Sequence, residues 1–561
     1  MTRWIPGILL LLGLLSCTPE PAPVVQDIPG EVGSRLRIKV ESGRGISQFT
    51  CRQEILCGSS VIPLFYERRG FSPAWSGRDG RFPLADSLIA AIRESDREGL
   101  NPYDYHLAGI EPLLADSRRK RAEREPYNFE TGADLDLLLT DAFLLYGSHL
   151  LAGRVDPETL HADWIAYNPS TDLASLLESA LAGDNVADTL WSLRPPHPGY
   201  AGLQTALAQY RELAGHGGWP VFPPGESLRK GDRGDRVDLL RKRLSTTADL
   251  DPPAEEGEAL FDEALEAAVR RFQRRHGLED DGIVGRETLA ALNVPVEDRV
   301  AQMEWNMERW RWVPHDLGDR YILVNIPDFK MRVVAPPGSE MEMRIIVGKN
   351  YTATPVFSGM LNHMELNPYW NIPHSIAVEE ILPKIRQDPG YLAKQGIRVF
   401  RDWRDGAPEV DPETVDWTEM DSRSFSFKLR QEPGPRNPLG RMKFIFPNKF
   451  AVYLHDTPAR GLFRNFARDF SHGCIRVEKP LELASVLLQD DARHSKGNIL
   501  ERIDSGVRET IALRNPIPVH ILYWTAWVDE RGTIQFRKDI YGRDIPLAAA
   551  LKETPPVPRE S

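Results

Sequence analysis

The sequence predicts a multidomain α+β protein: a β-rich half that carries the chemistry, a small helical bundle, and a mostly helical N-terminal domain. Three observations lead there. The 561 residues are too many for one compact core at about 150 residues per domain. The apolar pattern changes period along the chain, helical before residue 295 and strand-like after it. Eight of the 13 tryptophans fall between Trp305 and Trp527, enough aromatic area for both a core and a cleft. With 41% hydrophobic and 27% charged residues and a net charge of −12, the composition excludes wholesale disorder, a polytopic membrane protein and general nucleic-acid binding.

Residues 1–17 read as a processed export segment. Arg3 precedes the apolar run from Ile5 to Leu15, short for a hydrocarbon core of about 30 Å. Its end, Leu14-Leu15-Ser16-Cys17, resembles a lipobox, which implies a diacylated Cys17 tethering a periplasmic lipoprotein to a membrane. An ordinary signal peptide with an incidental cysteine is the alternative. Residues 18–55, rich in Pro, Gly, Val and charge without sustained helical periodicity, are expected to be a tether.

The chain has four cysteines. With Cys17 lipidated, Cys51 and Cys57 lie close enough, beside Gly58-Ser59-Ser60, to form a disulfide in an oxidising compartment. That leaves Cys474, either buried and inert or used.

Residues 56–225 alternate apolar runs such as Leu135–Leu139 with Pro and Gly breaks at Asn101-Pro102 and Arg194-Pro195-Pro196, the pattern of a helical domain. Its histidines, including His106 and His149, form no closely spaced ligand set. In residues 226–295, Val237, Leu240 and Leu244 make one helical stripe and Leu265, Ala268, Val269 and Phe272 another. The runs Leu228-Arg229-Lys230-Gly231-Asp232-Arg233-Gly234, Ala268-Val269-Arg270-Arg271-Phe272-Gln273 and Asp281-Gly282-Ile283-Val284-Gly285 resemble a peptidoglycan-binding domain.

Residues 300–530 contain β-branched and aromatic runs, among them Tyr321–Ile326, Arg344–Val347, Lys443–Phe446 and Pro518–Tyr523. A charged, helix-like insertion at 376–430, with helices over 378–386 and 390–399, reads as a lid. Residues 531–561 read as a C-terminal tail.

The chemistry gathers between Phe450 and Val477. Alternation places Phe450, Val452 and Leu454 on one strand face and Tyr453 with His455 on the other. Then follow Ser471-His472-Gly473-Cys474-Ile475-Arg476 and a helix opening at Pro480, and both a helix N-terminus and an imidazole favour a thiolate. His455, the spacer and Ser471-His472-Gly473-Cys474 resemble the active-site signature of the L,D-transpeptidase family with the YkuD-type catalytic domain. Val347-Gly348-Lys349, Thr354-Pro355 and Asn367–Pro373 are similar to its large YcbB-like branch.

That resemblance implies Cys474 as nucleophile, His455 as base and the Asp456 backbone carbonyl as its orienter. Tyr453 and the amides of Gly473 and Cys474 would form the oxyanion hole, with His472 a turn-shaping residue or second base. Ser471, Arg476 and Trp370 would face substrate, Arg476 as a carboxylate fork or else in a structural ion pair. The implied substrates are peptidoglycan stem peptides and glycan, and other wall-synthesis proteins would meet the 56–225 domain. No cofactor, metal or nucleic acid is expected, although His455, Asp456, His472 and Cys474 can be imagined as zinc ligands. Hydrolysis at the same cysteine, or a non-catalytic wall anchor, are the alternatives, and acylation of Cys474 by a carbapenem is a further implication.

Overall fold

The computed structural model describes Met1 and residues 27–43, 49–167, 169, 171–251, 259–335 and 340–553. The export segment and Cys17 lie outside the described residues. The chain divides into two compact units, residues 1–85 with 108–140, and residues 86–107 with 141–561.

In the first unit the expected tether is partly a helix, Ile28–Gly43. Its Val32, Leu36 and Val40 recur every fourth residue and are fully buried, an apolar stripe that the Pro and Gly content obscures in the sequence. Below it, a hairpin of Thr50–Cys51 and Glu54–Ile55 sets Cys51 opposite Glu54 and leaves Cys57 beyond the pairing. The expected disulfide is absent. The Cys51 thiol is buried 3.4 Å from Asp134 Oδ1, whereas Cys57 Sγ lies 3.7 Å from the Ile55 carbonyl. Burial and the Asp134 carboxylate push the Cys51 thiol up to about 12.

The second unit contains helices Leu173–Gly183 and Pro198–Gly215, followed by the predicted bundle. Its helices Asp235–Thr246, Glu263–Arg275 and Arg286–Leu292 enclose a core of their own, with Val237, Leu240, Leu244, Leu265, Phe272 and Leu292 buried. Both stripes read from the sequence are the buried faces. Helix Val296–Trp310 then leads into the β-rich domain.

That domain is built on a nine-stranded sheet. Its strands are β1 (Tyr321–Asn325), β2 (Lys330–Val334), β3 (Met341–Gly348), β4 (Phe357–Leu366), β5 (Met442–Ile445), β6 (Leu454–His455), β7 (Asp469–Ser471), β8 (Ile475–Val477) and β9 (Glu509–Leu522). The order is β7-β3-β8-β6-β5-β4-β9-β1-β2, and an added β2–β3 pairing closes the sheet on itself. One face is apolar: Met364, Phe444, Leu454, Ile475 and Val477 fill the core. The opposite face is polar and carries the site.

The insertion is larger than its sequence boundaries. A separate sheet of Trp370–Asn371, Lys428–Gln431, Ile397–Phe400 and Glu409–Val410 packs around Ile381, Leu382, Ile385, Leu392 and Leu429. The helix expected over 390–399 stops at Gly396, whose φ of 64° ends it in the left-handed region, and Ile397 and Val399 then alternate inward as a strand. Nor are residues 531–553 a tail. Ile534–Phe536 pairs with Ala526–Val528, and helix Asp544–Ala550 inserts Leu547 into the core of the sheet domain.

Candidate active site

Strand register assembles the site. Parallel pairing of β6 with β8 sets Leu454 opposite Ile475 and His455 opposite Arg476. Opposite residues share a face and alternate residues return to it, so Tyr453, His455, Cys474 and Arg476 stand on the polar side. Antiparallel pairing of β5 adds Lys443 opposite His455. The sequence reading missed Lys443, although the alternation of Lys443-Phe444-Ile445-Phe446 already put it on the polar face.

His455 is buried, and its Nδ1 lies 2.5 Å from the Asp456 carbonyl. A carbonyl only accepts, so Nδ1 carries the proton and Nε2 keeps its lone pair. Burial, with the Arg476 guanidinium opposite, pushes this imidazole down to about 3. The Asp456 carboxylate accepts from the Arg441 amide at 2.9 Å and Arg460 Nη2 at 2.9 Å. This ties down the backbone whose carbonyl holds the histidine.

Cys474 is half-buried, with Sγ 3.9 Å from the Ala451 carbonyl. Burial raises its thiol above the ordinary value, against the opposing effects of hydrogen bonds from Tyr453 and the cations Lys443 and Arg476. The resting pair is therefore a neutral thiol and a neutral imidazole, a correction to the expected thiolate. The helix N-terminus does not reach the sulfur: β8 separates Cys474 from the helix that begins at Pro480. Tyr453 is held far above its usual range by burial and the neighbouring sulfur, so its hydroxyl keeps its proton and can donate.

The Cys474 loop is fastened from within. Ser471 Oγ donates to the Cys474 carbonyl at 2.6 Å and accepts from the Gly473 amide at 3.1 Å. Its hydroxyl is thus spent on the loop rather than on substrate. The bond to Ser471 Oγ occupies Gly473 N–H, one of the two amides expected in the oxyanion hole, while the Tyr453 backbone and hydroxyl hydrogen-bond the sulfur. Gly473 has a φ of 107°, which only glycine adopts without strain.

A second loop supports the first. Thr354 Oγ1 donates to the Gly473 carbonyl at 2.9 Å, and Thr352 Oγ1 to the Ser471 carbonyl at 3.1 Å. Any side chain at Gly348 would collide with the Thr352 carbonyl. The Tyr541 hydroxyl completes the arrangement, donating to the Gly348 carbonyl at 2.6 Å and accepting from the Thr354 amide at 3.3 Å.

The remaining predicted residues separate by role. His472 Nε2 lies 2.6 Å from Glu380 Oε1 in the 376–430 insertion, a contact that ties the Cys474 loop to that insertion. Trp370 sits half-buried in the lid sheet against the lid core. Arg476 has its Nε buried without a partner and makes no ion pair among the described residues, which favours the fork over the structural pair. No group of three metal-ligating side chains occurs among the described residues. A cleft of about 1720 Å³ lies apart from Cys474, between the helical bundle and the segments 327–330 and 466–469.

Residues 319–503 match the family model described as the L,D-transpeptidase catalytic domain, YkuD. Residues 233–292 match a "Putative peptidoglycan binding domain" and residues 60–207 a scaffold domain. A protein of Haemophilus influenzae named "Putative L,D-transpeptidase" is 36% identical over 266 residues, 46% of this chain and 52% of that one. The alignment thus spans about half of that relative. The N-acetylmuramoyl-L-alanine amidase CwlM of Mycobacterium tuberculosis is 41% identical over 80 residues, 13% of this chain and 20% of that one. A solved L,D-transpeptidase (residues 123–326) of Xylanimonas cellulosilytica is 15% identical, covers 53% of this chain and 98% of its own, and has a TM-score of 0.16, too low to carry an argument. Residues 319–503 thus match the YkuD L,D-transpeptidase catalytic domain, in one chain with regions that match a scaffold domain and a peptidoglycan-binding domain.

Proposed function

We propose that this protein cross-links the third residues of two peptidoglycan stem peptides through a thioester on Cys474. The observation that carries the reading is the shared polar face of Cys474, Tyr453 and a neutral His455 with Nε2 unprotonated. As sulfur attacks the donor carbonyl, its proton passes to Nε2, and the developing oxyanion is held by the Cys474 amide and the Tyr453 hydroxyl. His455 then protonates the departing D-amino acid amine and the C–N bond breaks, leaving the acyl-enzyme. The side-chain amine of a second stem attacks the thioester, its proton goes to His455 and on to the returning sulfur, and the cross-link is released. Arg476, with no counter-ion of its own, suits a donor carboxylate.

Peptidoglycan-acting domains imply a cell-wall or periplasmic location. A lipid on Cys17 would hold the enzyme at a membrane while the 233–292 module engages the wall, and loss of the protein from membrane fractions on Cys17→Ala checks the anchor. The decisive experiment incubates the full chain with purified disaccharide-tetrapeptide and reads the products by mass spectrometry. A cross-linked dimer is expected from the wild type, and none from a folded Cys474→Ala. Tripeptide alone would convert the reading to a carboxypeptidase using the same thioester, and a dimer made by Cys474→Ala would remove the nucleophile.

A further inference from the structure

A row of polar side chains crosses the sheet at the level of the nucleophile. Glu365 on β4 stands opposite Lys443 on β5, Lys443 opposite His455 on β6, and His455 opposite Arg476 on β8. Lys443 Nζ lies 4.0 Å from the centre of the Tyr453 ring, the side chain that hydrogen-bonds the Cys474 sulfur. The carboxylate in the row is already committed, because Glu365 pairs with Arg508. Neither Lys443 nor Arg476 forms an ion pair with any described residue. Both cations act on the Cys474 sulfur and neither has an ion-pair partner among the described residues, an arrangement that favours a site that can turn anionic.

The other charged or titratable groups do not supply this field. His455 remains neutral at physiological pH, the Tyr453 phenol keeps its proton, and Glu365, paired with Arg508, favours the Lys443 ammonium but as an anion does nothing to stabilise a thiolate. In a cysteine–histidine couple that rests as an ion pair, the imidazolium stabilises the thiolate; here the imidazole carries no charge to do so.

We propose that Lys443 is a positioning residue for the nucleophile, supplying with Arg476 the positive charge that makes the Cys474 thiolate accessible while His455 stays neutral to accept the proton. The inference rests on Cys474 being the nucleophile of the proposed reaction, but not on which acceptor resolves the thioester. Burial pulls the Lys443 ammonium below its ordinary value, with the Cys474 sulfur among the groups acting in the opposite direction, so the two sites are coupled.

The test is alkylation of the full chain by iodoacetamide from neutral to strongly alkaline pH, about 7 to 11.5, with Cys474 followed by peptide-resolved mass spectrometry. The thiolate displaces iodide, so the rate follows the thiolate fraction. Lys443→Gln is expected to raise the Cys474 midpoint by about one pH unit, a roughly tenfold slower reaction at fixed pH below it, and Lys443→Arg to restore it, with Cys57 unchanged in both. An unmoved midpoint in folded Lys443→Gln overturns the proposal. The coupling is also readable in the wild type, where linkage makes it reciprocal. Blocking Cys474 with iodoacetamide should lower the Lys443 midpoint, measured by carbon NMR on reductively methylated lysines, and an unchanged lysine titration overturns the proposal even where the variants do not fold. Neither readout uses peptidoglycan, so a failed cross-linking assay and a failed Lys443 assay are separate results.

Discussion

At His455, one backbone carbonyl and burial decide what the side chain can do. The carbonyl of Asp456 fixes the proton on Nδ1, while burial and Arg476 keep a second proton off Nε2 until about pH 3. The imidazole resonances of His455 should therefore stay flat in an NMR titration from pH 5 to 8, and a midpoint near 6.5 would show that the site is wet or open. Stability follows with a definite sign. An unfolded imidazole takes its proton near 6.5, whereas the folded one refuses it, so the contribution of this group is complete above about 6.5 and is lost progressively as pH falls toward 3. Denaturant midpoints measured across that window should fall less in His455→Gln than in the wild type.

Two elements decide how long the nucleophile loop keeps its shape and how easily it is reached. The segment 348–356 holds the loop through Thr352 and Thr354, and Tyr541 holds that segment through both its neighbours in the hydrogen-bond chain. Tyr541→Phe removes the hydroxyl and leaves the Gly348 carbonyl and Thr354 amide unpaired, at a cost of about 1–3 kcal/mol. Thermal unfolding should register that loss, and kcat should fall more than KM rises, since the displaced group is the Gly473 carbonyl rather than a substrate contact. The lid is latched differently, by the partly exposed pair His472 and Glu380. Such pairs are worth about 0.2–1 kcal/mol, so Glu380→Ala should quicken maleimide labelling of Cys474 by no more than roughly fivefold. A hundredfold gain would mean that the pair alone keeps the lid shut.

At the scale of the molecule, the C-terminal segment is a structural strap of the second unit. Phe536 stacks on His276 of the helical bundle with ring centroids 5.4 Å apart, Arg537 bridges Asp328 at 2.6 Å and the Arg275 carbonyl at 3.1 Å, and Leu547 fills the core beneath the sheet. Leu547→Ala should therefore cost about 2–5 kcal/mol, as for any well-packed core leucine, read as a lower denaturant midpoint of the catalytic domain. A stability change below about 0.5 kcal/mol would show the helix to be a loose appendage after all. The bundle, by contrast, has its own closed core.

The sequence by itself determined the order of the domains, the candidate cysteine and histidine that the fold brings together, the buried stripes of the bundle and the polar face of the strand before His455, because each depends on residue type at local spacing. Only the tertiary structure decided what depends on partners far along the chain. The pairing of residues 443, 455 and 476 brings Lys443 to the thiol, and a hairpin register keeps Cys51 from Cys57. The helix hidden in 28–43, the full extent of the lid and the packing of 531–553 became visible only with the surfaces that bury them. Protonation belongs to the same class: His455 and Cys474 are both neutral at rest because desolvation outweighs the Tyr453 hydrogen bonds and the Lys443 and Arg476 cations at the sulfur, and desolvation exists only once the sheet has closed around them.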